Sequence, residues 1–134
     1  MDNNKVYIFR LKPGEDLRKS IEAIVKEKNI EAGWINTCVG SLTDYTMRFA
    51  NQQAGTRGFG HFEIVSLAGT ISVSGCHLHI SISDSEGKTI GGHLLEGCKI
   101  YTTAEIVIGT TSAYEFTRKK DGTTEWEELQ VIEK

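Results

Sequence analysis

The run Gly75-Cys76-His77-Leu78-His79-Ile80-Ser81-Ile82-Ser83 constrains this chain more than any other stretch. Cys76, Leu78, Ile80 and Ile82 alternate strictly with His77, His79, Ser81 and Ser83, the period of a strand with one face in a core and the other outside it. His77 and His79 therefore share a face. A return run follows, Thr89-Ile90-Gly91-Gly92-His93-Leu94-Leu95-Glu96-Gly97, and the two are joined by Asp84-Ser85-Glu86-Gly87-Lys88. Gly87 suits the positive-φ position that ends a three-residue hairpin loop. With Ser85, Glu86 and Gly87 as that loop, Asp84 opposes Lys88, Ser83 opposes Thr89, Ser81 opposes Gly91 and His79 opposes His93. Facing Cβ atoms of an antiparallel pair stand roughly 5 Å apart and diagonal ones roughly 7 Å. His77, His79 and His93 then form a triangle on one face. The glycine pair at 91 and 92 is also where a bulge would shift this register.

Neutral imidazole nitrogens are good ligands for zinc and other divalent transition metals, and three of them leave a further position for a small ligand or substrate. The His-x-His spacing by itself is better explained by polar surface or interface residues. His93 at the opposed position turns the reading toward a metal held by His77, His79 and His93. Cys76 falls on the other face, where a small core residue is the simpler role. His61 and Glu63 share parity on another strand, so they are candidates for an additional ligand or a base, with ordinary exposure as the plainer alternative. The serines come with no nucleophile elbow, and Gly91-Gly92 lacks the strand-loop-helix setting and lysine of a phosphate loop.

Around this hairpin the chain reads as one domain over residues 1–134, long enough to bury a core of its own. The net charge is −3 with no basic cluster, which argues against strong sequence-independent attraction to nucleic acid or anionic membrane. Three cysteines, at 38, 76 and 98, show no Cys-x-x-Cys spacing, so free thiols in a reducing compartment are expected. No apolar run approaches bilayer length and no signal peptide is seen, so no membrane association and a cytoplasmic location are expected.

In chain order, Lys5–Leu11 reads as a first strand ending at Pro13-Gly14. Leu17, Ile21, Ile24 and Val25 then recur at helical spacing within a helix expected over Asp16–Lys28. Trp34–Leu42 reads as a buried strand and Tyr45–Phe49 as its alternating partner, followed by a long loop over Asn51–Gly60 that serves as a connector or, near His61, as a flap over a site. His61–Val73 is a further β region broken near Gly69, and Lys99–Ile108 another. Ala113–Lys119 and the stretch from Trp126 to Ile132 close the chain around a turn at Asp121-Gly122. One early helix among seven or eight strands predicts an α+β fold, a largely antiparallel sheet curled around or beneath that helix.

Several of these motifs, in this order, resemble the plants-and-prokaryotes-conserved (PPC) domain, which in land plants is attached to AT-hook proteins. They are Phe9-Arg10-Leu11-Lys12-Pro13-Gly14-Glu15-Asp16-Leu17, Gly60-His61-Phe62-Glu63-Ile64-Val65-Ser66-Leu67-Ala68-Gly69-Thr70-Ile71, His77-Leu78-His79-Ile80-Ser81 and Gly91-Gly92-His93-Leu94-Leu95-Glu96-Gly97. The resemblance implies an α+β fold, a homotrimer and a DNA-binding or regulatory role. Stand-alone prokaryotic members similarly carry the histidine set, which fits a metal or small-ligand site at 77, 79 and 93. In the plant members a Gly-Arg-Phe-Glu-Ile-Leu segment serves partner association, and here His61 stands at the arginine and Val65 at the leucine. No Arg-Gly-Arg-Pro AT hook occurs in this sequence. Alternative roles are a metal-dependent enzyme of unassigned substrate, with His61 or Glu63 as a base toward water, and a trimeric interaction scaffold.

Overall fold

Strand β1 (Asn4–Leu11) leads into helix α1 (Leu17–Glu27), and seven strands follow. These are β2 (Gly33–Arg48), β3 (Thr56–Ser72), β4 (Gly75–Ser83), β5 (Thr89–Leu94), β6 (Lys99–Thr111), β7 (Tyr114–Lys119) and β8 (Glu128–Glu133). The computed structural model describes residues 3–134. The fold is α+β, one helix with a curled antiparallel sheet.

Six strands form the main sheet in the order β1-β6-β2-β3-β4-β5, and every pairing is antiparallel. Strand β5 also returns to β2, with Met47 opposite Leu94 and Arg48 opposite His93. Hydrogen bonding therefore runs full circle through β2, β3, β4 and β5 at that end of the sheet. Long, twisted strands make such closure natural, because accumulated twist brings the last strand round to meet the first. The alternating apolar residues face inward: Leu78, Ile80 and Ile82 of β4 join Leu42, Met47, Ile71, Leu94, Ile100, Ile106 and Ile108 in one core.

Helix α1 contributes Leu17, Ile21 and Val25 to that core, the face its periodicity marks out. Asp16 starts it as N-cap, its Oδ1 accepting from the Lys19 backbone N–H at 3.0 Å, an arrangement worth about 1 kcal/mol. The other oxygen, Oδ2, accepts from the Gly97 N–H at 2.7 Å and so ties the helix start to the turn between β5 and β6. Burial pushes the Cys38 thiol up to about 12 and the Cys98 thiol up to about 11, which leaves both protonated and unreactive.

The structure departs from the sequence reading at three places. Trp34–Leu42 and Tyr45–Phe49 are not partners. Both fall along one strand, β2, which ends at Arg48 and whose register slips between Leu42 and Asp44 against both neighbours, so the polar pair Thr43-Asp44 marks an irregularity and not a turn. The expected loop over Asn51–Gly60 is shorter, because Thr56 already pairs with Met47 and Arg57 with Thr46 in β3. That β region is also unbroken at Gly69; its irregularity falls between Ile64 and Ser66.

Candidate metal centre

The β4–β5 hairpin has the register its loop dictates. Gly87 takes φ +80° and donates its N–H to the Asp84 carbonyl at 3.0 Å, while Asp84 Oδ1 accepts from the N–H groups of Glu86 and Lys88, each at 2.9 Å. Ser83 then faces Thr89, Ser81 faces Gly91 and His79 faces His93, with no bulge at the glycine pair. Those glycines serve a close approach instead. A Cβ on Gly92 would meet the Arg48 carbonyl oxygen at 2.7 Å and one on Gly91 the Ile80 oxygen at 2.8 Å, so only bare backbone lets β5 lie between β4 and β2.

The three rings meet on the outer face of the hairpin, away from the core. Ring centroids stand 4.9 Å apart for His77 and His79, 5.3 Å for His77 and His93, and 5.8 Å for His79 and His93. One nitrogen from each ring lies within 4.8 Å of the others, so the trio could hold a metal ion. A tetrahedral zinc bound at about 2.0–2.1 Å sets its nitrogens about 3.3 Å apart, a distance small ring rotations would close. His77 and His79 are exposed and His93 is half-buried.

Electrostatics favour the ligand form of His93 and His77. Burial pushes the His93 imidazole down to about 4, with the Arg48 charge adding to the effect. His77 is lowered too, by burial first and by His79 beside it second. Neutral imidazole is the species that donates a lone pair to a metal. The helix braces the cluster from behind. Arg18 donates from Nη1 to the Leu94 carbonyl at 2.7 Å and from Nη2 to the Cys76 carbonyl at 2.8 Å, which clamps the residue after His93 to the residue before His77. Its Nε contacts Glu22 Oε1 at 2.8 Å.

His61 and Glu63 take no part in the cluster. Both are exposed on β3, and His61 stacks on Tyr101 with centroids 4.5 Å apart. Cys76 packs against the core, as its parity predicts. The sequence reading missed the cations around the rings. Arg18, Arg48 and Arg118 come from three separate elements and line one groove with His77 and His93. Gly91-Gly92 was the available signal, since paired glycines in a strand announce a close backbone neighbour, and that neighbour carries Arg48.

Residues 1–112 match the Plants and Prokaryotes Conserved (PCC) domain. The chain belongs to this family. Outside the matched part lies the β7–β8 hairpin, which in this PCC protein brings Arg118, Lys120 and residues 125–128 to the groove beside the histidines. The sequence is 40% identical over 127 residues to the bifunctional protein GlmU of two Synechococcus strains. That match takes in 95% of this chain, and the chain spans 20% of the length of those relatives. A hypothetical protein from Salmonella has the same fold at a TM-score of 0.96 and 38% identity, over 100% of this chain and 97% of that one. A metal-containing protein from Archaeoglobus fulgidus superposes at 0.80 with 25% identity, over 94% and 93% of the two chains. A protein from Bacteroides thetaiotaomicron provisionally designated as DNA-binding does so at 0.81 with 25% identity, over 97% and 93%. Among the described residues no helix of this PCC protein is long and apolar enough to cross a membrane.

Proposed function

We propose that His77, His79 and His93 hold a divalent transition metal, zinc by the nature of the donors, in one domain over residues 1–134 that assembles as a homotrimer. The observation that carries this reading is the convergence of three imidazole nitrogens within 4.8 Å on a rigid hairpin. The metal-containing neighbour from Archaeoglobus supports it. When bound, the metal supplies a Lewis-acidic centre with a coordination position left over for a ligand. The protein's own part is to keep His77 and His93 neutral, to fix their spacing through the β4–β5 register, and to hold both strand ends with Arg18. Elemental analysis of untagged protein should find about one metal per chain, and His79→Ala should lose it. Equal metal content in the two proteins would sink the site.

The trimer draws support from the outer sheet face, where Ile8 is 75% exposed, Val39 59% and Val65 57%. Exposed apolar strand residues on one face support contact with another chain. A regulatory role through DNA is the second reading, favoured by the Bacteroides neighbour. It predicts binding that weakens by orders of magnitude from low to physiological salt in an anisotropy titration. Absence of binding at low salt removes it.

A further inference from the structure

Two arginines flank the histidine cluster from opposite sides. Arg48 on β2 is the direct strand partner of His93. Arg118 on β7 donates from Nη2 to Thr70 Oγ1 at 3.0 Å, and Thr70 is the strand partner of His77. A guanidinium carries five N–H donors in a planar fork. Arg118 uses one on Thr70, and Arg48 uses one on the Gln52 carbonyl at 3.3 Å. Both forks thus keep most of their donors, and both line a groove of about 750 Å³ whose other walls include His77, His93 and Trp126. The Arg48 guanidinium lies 5.4 Å from the Trp126 ring centroid, which holds the β7–β8 hairpin over this side of the cluster. Arg18 differs, with its bonds to Leu94, Cys76 and Glu22 already made.

The acidic residues of the groove are placed otherwise. Glu22 is held by Arg18, and Glu128 accepts from the Thr124 hydroxyl at 2.6 Å. Glu125 and Glu127 are exposed on the loop before β8. Glu22 and Glu128 thus have partners of their own, and Lys120 stands with Glu125 and Glu127 among the exposed residues of the groove. The guanidinium donors left over beside the rings suit a small anion.

We infer that the groove receives a small molecule bearing an oxyanion, a carboxylate or a phosphoryl group, with its charged end on the Arg48 and Arg118 forks and on the metal's remaining position, and its body against Trp126. Planar N–H forks match such groups with paired, charge-assisted hydrogen bonds, and the metal supplies a third point of attachment. This rests on the metal reading above. The C-terminal hairpin then acts as the specificity wall of the site, since it supplies Arg118 and Trp126.

The test uses the full chain loaded with cobalt(II), whose visible absorption reports its ligands, titrated with malonate, with inorganic phosphate and with uncharged malonamide. Malonate or phosphate should shift the spectrum saturably where malonamide does not, and whichever acts identifies the anion class. In Arg48→Gln and Arg118→Gln, still loaded with cobalt, the half-saturating anion concentration should rise about tenfold. A chain that takes up no cobalt overturns the metal centre and this proposal with it. A cobalt-loaded chain whose spectrum responds to the anions no more than to malonamide overturns this proposal alone, as do variants that bind the anions like the unmodified protein.

Discussion

His93 is the residue where burial, charge and the proposed ligation meet. Its imidazole is pushed down to about 4 by burial and then by Arg48, and His77 is lowered by burial and by His79. In an unfolded chain both return to about 6.5. Between those values the unfolded chain binds more protons than the folded one, so by linkage the stability of metal-free protein rises with pH and falls as the solution is acidified from 6.5 toward 4. The urea midpoint should therefore drop between pH 7 and pH 4.5, and less steeply in His93→Gln. The same depression lets His77 and His93 keep their lone pairs free into the acid range, so the proposed metal should stay bound below the ordinary imidazole range. Stepwise dialysis with elemental analysis checks this, and release at or above pH 6.5 would contradict it.

At the scale of elements, the hairpin was legible in the sequence because everything that sets it is local. Strict alternation chose the face, Gly87 chose the loop, and together they placed His79 opposite His93. The helix was legible for the same reason, with Leu17, Ile21 and Val25 at its period and Asp16 as its cap. What could not be read were features decided by distant segments. Thr43-Asp44 carries turn chemistry, yet β2 runs through it because β3 and β6 pair along both sides. The second partner of β5 was hidden likewise, although Gly92 records it as missing side-chain volume against Arg48. His61 and Glu63 have the residue types of a site and the parity of one face, but Glu63 pairs with Ser83, four residues along β4 from His79, which leaves them too far from the cluster to join it.

For the molecule as a whole, the proposed trimer makes the outer sheet face an interface. Aspartate at Ile8 and Val39 together would place charge in the buried contact, a cost of several kcal/mol when two such groups lose water without partners. Light scattering should find three times the 14.8 kDa chain mass for the unmodified protein and the single-chain mass for Ile8→Asp/Val39→Asp. An unmodified protein that scatters as one chain refutes the assembly. The fold as such was legible, since one early helix and many short-period strands leave few architectures, whereas the three arginines of the groove come from α1, β2 and β7 and share no spacing.

The ladder that joins His79 to His93 closes over a single short loop, whereas β1 must find β6 from the far end of the chain, Asn4 against Thr111. Closure entropy grows with the length of chain enclosed, so the imidazole trio is inexpensive to assemble and the outermost strand is not. Fluctuations that release β1 would leave the three imidazoles in register, and hydrogen exchange should find the amides of β4 outlasting those of β1.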